Sequence, residues 1–315
     1  MSLPTTFFIG RGGAVRGDDF LPYLTTTFTA QTTWSNMQAT NFGGHLANKS
    51  PIGGTISRYG TTCFTSNYGT GTVTQIKLST AWDLSSYSDI QEFSTIGTLV
   101  MGTGWQLSGI FWSENGEYCL ITSRANNSTL SGNNALHLFQ VQEGHAYDLN
   151  YATLIDTNDY IDTAASSSQP ANGCSMSRDG SYYSWAYQGV NRTYSHLINN
   201  SANYFTLSIY GSIYESGAAG SSVLGMVWDH SGKHNYFCNF SGDHSVYYRT
   251  ASNPWRANSL SSATTITLPQ LDTLTNTNIT RSNMTAGSVL PNEGYAVLVD
   301  YNNNTGYNFQ LFEIS

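Results

Sequence analysis

Charge is scarce in this 315-residue chain, at 10% of residues, where a globular protein ordinarily carries about a quarter. Lysine occurs only at Lys49, Lys77 and Lys233, and the arginines are scattered. With a net charge of −8 and no basic stripe, nucleic acid is not expected as a partner. Long apolar runs are also missing. No stretch approaches the roughly 18 consecutive apolar residues of a membrane span, so no membrane insertion is expected. Phe7-Phe8-Ile9 is too short for the apolar core of an export signal, which leaves assembly in the cytoplasm as the expectation.

Cysteine is sparse, and its four copies (Cys63, Cys119, Cys174, Cys238) fall in four different stretches of the chain. Residues so placed rarely reach the Cα spacing a disulfide requires, so they read as small buried thiols. Familiar chemical motifs are absent. There is no His-Glu-x-x-His, Cys-x-x-Cys or EF-hand loop, no Gly-x-Ser-x-Gly elbow and no phosphate loop. His230 and His234 stand four apart beside Asp229, but in a predicted hairpin turn, where that spacing does not put them on one face. No metal and no cofactor is expected.

What the chain does have is a recurring phrase: glycine, an alternating apolar run, a polar tight turn, then an aromatic-rich run. The copies begin at Gly54, Gly109, Gly173, Gly225 and Gly287. A period of about 50–60 residues signals one supersecondary unit stacked repeatedly. Each unit resolves into four short strands. In the first, these are 54–57, 61–65, 73–78 and 90–93. The turns Asn115-Gly116, Asp179-Gly180, Ser231-Gly232 and Glu293-Gly294 are hairpin chemistry, because glycine accepts positive φ without steric cost. The 42 aromatic residues suit a core divided into many thin seams.

The fifth unit stops after three strands, while spare β-forming sequence lies at 25–34, notably Thr27-Phe28-Thr29-Ala30. That arithmetic predicts an all-β β-propeller of five blades over residues 21–315, closed by an N-terminal strand. Six blades remain the alternative, if residues 20–50 hold a degenerate unit. Residues 1–20, interrupted by Gly10, Gly12, Gly13 and Gly17, read as a flexible arm. Phe7, Phe8, Ile9 and Arg11 are its candidate anchoring residues.

Chemistry, if present, would need a carboxylate pair about 5 Å or roughly 6.5–9.5 Å apart for glycoside hydrolysis. Asp83, Asp148, Asp156, Asp159, Asp162, Asp179, Asp229 and Asp243 are candidates, but aspartate at a turn usually serves the turn. The expectation is a non-enzyme. Trp82, Tyr147 and Trp255, in polar bends, are the candidate rings for stacking on a ligand.

Val73-Thr74-Gln75-Ile76-Lys77-Leu78-Ser79-Thr80-Ala81-Trp82-Asp83-Leu84-Ser85 resembles a repeat found in virion proteins of tailed phages, especially those of marine bacteria. Leu107 to Tyr118 is similar to that repeat's second half, and Phe7 to Gly13 looks like the start of several phage structural proteins. The likeness is close over residues 73–120 and loosens after them: the bend has Tyr147 in place of tryptophan, and the later units lack the Ser-Thr-Ala-Trp-Asp string. The resemblance implies a propeller displayed on tail or capsid, localised to the virion and partnered by other virion proteins. A carbohydrate-binding receptor adhesin, meeting a host surface glycan, is the alternative function, and a glycoside hydrolase the second alternative.

Overall fold

The computed structural model describes residues 9–10, 13–14, 34–47, 49–94, 105–125, 134–158, 171–177, 182–187, 192–199, 206–214, 223–229, 232–239, 245–267, 284–290, 295–300 and 309–314. Most of the described residues are strand. A small hairpin pairs β1 (Ile9–Gly10) with β2 (Gly13–Ala14), and β3 (Trp34–Thr40) follows. The first full sheet comprises β4 (Pro51–Ile56), β5 (Thr62–Asn67), β6 (Thr72–Leu78) and β7 (Tyr87–Phe93). The second comprises β8 (Trp105–Trp112), β9 (Tyr118–Ala125), β10 (Asn134–Val141) and β11 (Ala152–Asn158). The third holds β12 (Ala171–Met176), β13 (Tyr182–Tyr187), β14 (Arg192–Asn199) and β15 (Thr206–Tyr214). The fourth holds β16 (Val223–Trp228), β17 (His234–Asn239), β18 (Ser245–Thr250) and β19 (Thr264–Thr267). In the fifth, β20 (Met284–Leu290), β21 (Tyr295–Asp300) and β22 (Phe309–Ile314) are joined by β3 as the outer strand.

Each sheet is an antiparallel meander, and each innermost strand packs against the next: β4 on β8, β8 on β12, β12 on β16, β16 on β20, and β20 back on β4. This is a β-propeller, which leaves only short outer edges unpaired. The N-terminal strand completes the last sheet as expected, but at a different place. It is Trp34–Thr40, with Gln310 opposite Ala39 and Glu313 opposite Ser35, while 25–33 of the expected segment lie outside the described residues. β-propensity pointed to Thr27-Phe28-Thr29-Ala30. An outer strand needs little apolar character, and the run Ser35-Asn36-Met37-Gln38, with one apolar residue in four, supplies it.

The repeat is also registered one residue earlier than its first copy suggested. In all five sheets a β-bulge interrupts the pairing of the two innermost strands at the same place: around Ile52-Gly53, Ser108-Gly109, Gly173, Leu224-Gly225 and Gly287. Gly53, not Gly54, therefore aligns with Gly109, Gly173, Gly225 and Gly287, and every unit reads Gly-x6-Gly. The reason for glycine is close approach around the axis. A Cβ on Gly53 would sit 2.9 Å from Gly109 Cα, and one on Gly173 would sit 3.1 Å from Gly225 Cα. Inner backbones meet there with no room for a side chain.

Apolar side chains fill the seams between sheets. Phe64 meets Trp112 across the first and second sheets, with centroids 4.8 Å apart. Phe42, Val299 and Phe309 join Ile56 and Ile76 where the fifth sheet meets the first. Met226, Trp228 and Trp255 pack with Ala186 between the third and fourth. Cys63, Cys119 and Cys174 are free buried thiols, and burial pushes each thiol pKa up.

Candidate interaction face

In four of the units the tight turn joining the first two strands is built around one side chain. Ser57 Oγ accepts the N–H groups of Thr61 and Thr62, both at 3.1 Å. Ser113 Oγ accepts from Tyr118 N–H and Ser177 Oγ from Tyr182 N–H, each at 2.9 Å. Asp229 Oδ1 does the same for Lys233 and His234, at 3.2 Å. The turn closes with Gly60, Gly116 or Gly232 N–H donating back to the serine or aspartate carbonyl, at 2.8, 2.9 and 3.0 Å. Those glycines have φ of 68°, 72° and 65°.

The polar bend between the third and fourth strands then docks onto this turn. Trp82, Tyr147 and Trp255 hold φ of 63°, 60° and 59°, and their N–H groups donate to the carbonyls of Gly60, Gly116 and Gly232 at 2.8, 3.0 and 2.8 Å. Each ring lies across its glycine so closely that a Cβ there would overlap it. Three sheets repeat this arrangement atom for atom.

The three candidate stacking rings make contacts within the fold. Tyr147 and Trp255 are buried, at 6% and 4% exposure. Tyr147 packs on Trp112 and donates its phenol O–H to Glu114 O; burial pushes that phenol pKa up. Trp255 packs on Trp228, with centroids 5.6 Å apart. Trp82 is half-buried, one face on Gly60 and the indole stacked on Tyr295 at 4.1 Å and 5°. The rings are internal plugs, and aromatic residues in a polar string looked exposed only because the glycine beneath them is far off in sequence.

Neighbouring sheets reach over to hold the bends. Gln38 Nε2 donates to Trp82 O while Leu84 N–H donates to Gln38 Oε1, both at 2.9 Å. Leu149 N–H donates to Gln75 Oε1 at 2.9 Å. Across the first seam Arg58 pairs with the buried Glu114 at 2.9 Å. Glutamine signals of this kind were not readable in advance, since their partners lie in other units.

Among the candidate carboxylates, four lie within the described residues, and each accepts from backbone amides of its own chain segment. Asp83 accepts the N–H and hydroxyl of Ser85, at 2.9 and 2.6 Å, and Asp229 holds its turn as above. Asp156 accepts Thr157 N–H at 2.8 Å. Asp148 accepts from the Asn150 backbone and side chain, at 3.0 and 2.8 Å. Burial pulls the Asp148 carboxyl pKa up, but these bonds, Gln75 and the charge of Lys77 outweigh it and hold it below the ordinary value. Asp159, Asp162, Asp179 and Asp243 lie outside the described residues, as do Phe7, Phe8 and Arg11 of the arm. Ile9 pairs with Ala14 in the small hairpin.

His137 is buried between Ser123 Oγ, 2.7 Å from Nε2, and Thr157 Oγ1, 3.1 Å from Nδ1. Burial lowers its pKa to about 3, so the ring is neutral at neutral pH. Among the described residues no group of three or more His, Cys, Asp or Glu is placed to hold a metal ion. No described helix is long and apolar enough to cross a membrane.

No protein-family model matches the chain, and no curated protein matches it. Solved structures do. A protein from Lactobacillus plantarum is 12% identical with a TM-score of 0.44, over 79% of this chain and 64% of its own. A putative 6-phosphogluconolactonase from Bacteroides uniformis is 12% identical with a TM-score of 0.43, over 80% and 64%. A luciferin-regenerating enzyme is 11% identical with a TM-score of 0.48, over 89% and 95%. The chain spans about 64% of the length of the first two.

Proposed function

We propose that the chain is a five-bladed ring acting as a non-enzymatic structural protein of a tailed-phage virion, exposed on tail or capsid. Residues 1–20 attach it to other virion proteins through Phe7, Phe8, Ile9 and Arg11, and the propeller contributes binding or reinforcement. The observation that carries the non-enzymatic reading is the fate of the polar side chains in the repeat. Ser57, Ser113, Ser177, Asp83, Asp148 and Asp229 are each bonded to amides of their own turns or bends. The five four-stranded sheets and the cyclic packing of their inner strands support the blade count over six. The resemblance of residues 73–120 to phage virion repeats supports the location.

Deleting residues 1–20 tests the attachment. The truncated chain is expected to keep its β-sheet circular dichroism and to be lost from purified particles, as read by mass spectrometry. Unchanged incorporation contradicts the anchor, and absence of the intact chain from particles contradicts the location. Turnover of a chromogenic glycoside, abolished by changing a single loop aspartate, would contradict the non-enzymatic reading. The alternative reading, a carbohydrate-binding adhesin, is favoured by one observation, the exposure of Tyr59.

A further inference from the structure

The third position of the five tight turns is occupied by Tyr59, Asn115, Asp179, Ser231 and Glu293. Asparagine, aspartate and serine belong there for local reasons, since their short polar side chains bond to nearby backbone. Asn115 does so: its Oδ1 accepts Glu117 N–H at 3.1 Å and the Ser113 hydroxyl at 2.7 Å. A tyrosine gains nothing of that kind. Tyr59 is 62% exposed, more than any other large hydrophobic side chain among the described residues.

The ring is nevertheless held in place. Its turn is fixed by the double acceptance at Ser57 Oγ, and the ring meets Tyr147 edge to face, at 6.3 Å and 83°. The adjacent Arg58 bridges to Glu114 in the next sheet, locking the seam beneath it. The bend that carries Tyr147 also carries a second exposed ring. Tyr151 is 42% exposed and lies flat on His145, with centroids 3.5 Å apart at 17°. Tyr59 and Tyr151 are therefore exposed rings on the turn and the bend that meet through Tyr147 at the seam of the first and second sheets.

We propose that the exposed Tyr59 ring, backed by the edge of Tyr147, is a binding site for neutral glycans. A pyranose would lay its apolar C–H face on the Tyr59 ring and direct its hydroxyls to the polar groups around it, including the exposed Thr61. Single rings of this size match one sugar unit. A protein partner needs about 800 Å² of surface on each side, far more than these rings provide. The net charge of −8 disfavours acidic sugars. The site rests on the adhesin alternative and not on the location of the protein in a particle.

The full chain, applied to an array of immobilised neutral hexose and N-acetylhexosamine oligosaccharides, tests the site without reference to particles. Wild-type protein is expected to bind, Tyr59→Ala to weaken binding at least tenfold, and Tyr59→Trp to retain it. Tyr87→Ala removes a different exposed ring, packed on Phe42, and is expected to leave binding unchanged. Because Tyr59 is exposed, its alanine variant should keep the wild-type melting curve. Failure of the wild-type chain to bind any neutral glycan overturns the proposal. So does full binding by Tyr59→Ala, or an equal loss in Tyr87→Ala. Particle incorporation, measured on the arm deletion, stands or falls separately.

Discussion

Trp82, Tyr147 and Trp255 adopt a left-handed backbone that bulky residues avoid, at about 1–3 kcal/mol each. Two gains offset it. The N–H bond to the turn glycine contributes about 0.5–1.5 kcal/mol, and burying a large ring contributes about 2–3 kcal/mol. Burial is the larger of the two, and it exists only because glycine lies beneath the ring. Gly116→Ala meets both a strained φ and an overlap with Tyr147, so it should cost about 2–5 kcal/mol in urea unfolding. Gly144 has a similar φ of 84° but open space around it. Gly144→Ala should therefore lose only about 1–2 kcal/mol, the strain alone. Equal losses at the two positions would contradict the plug.

Bends and strands are coupled between sheets by glutamine side chains that act as short stretches of β-ladder. Gln38, on the closing strand β3, satisfies Trp82 O and Leu84 N–H together. Gln38→Met keeps the length and leaves both groups without that partner, which should cost about 1–3 kcal/mol and speed amide exchange at Leu84. Gln38→Glu can accept from Leu84 but cannot donate to Trp82, so an intermediate loss is expected. No change in either variant would mean that water replaces the clamp at no cost. The strands were largely legible beforehand, because Gly-x6-Gly and the turn residues mark them locally. The outer strands were less so. The first sheet's β7 runs Tyr87–Phe93, where 90–93 was expected, and β3 lies toward the C-terminal side of the expected segment. An outer strand is paired on one side, so its sequence is weakly constrained. Trp82, Tyr147 and Trp255 stand out in the sequence, but the glycine that each covers lies in a distant stretch of the chain. Tyr59, set among ordinary turn residues, was not singled out at all, although its contrast with Asn115, Asp179 and Ser231 was readable.

The ring as a whole carries buried polar chemistry that shows itself as pH dependence. His137 has a folded pKa of about 3, below the ordinary 6.5 of an exposed histidine. The unfolded chain therefore binds a proton between pH 6.5 and 3 that the folded chain does not. Stability is full above about pH 6.5 and falls as pH drops, by up to about 1.4 kcal/mol per pH unit from this one group. His137→Gln should remove that portion of the slope in urea midpoints measured from pH 7 to 4; an unchanged slope would contradict the buried neutral ring. The protein is then a closed scaffold whose repeated glycines fit sheet to sheet and turn to bend, with Tyr59 as the ring turned outward. Closure by β3 is the claim on which that account depends. Ser35 lies opposite Glu313 across β3 and β22, and neither side chain is buried. In the variant Ser35→Cys/Glu313→Cys, mild oxidation should give a single crosslink within one chain, read by peptide mass mapping, and a raised unfolding midpoint because a very long loop is closed. A crosslink that forms only between chains, or not at all, would contradict closure of the ring by its N-terminal strand.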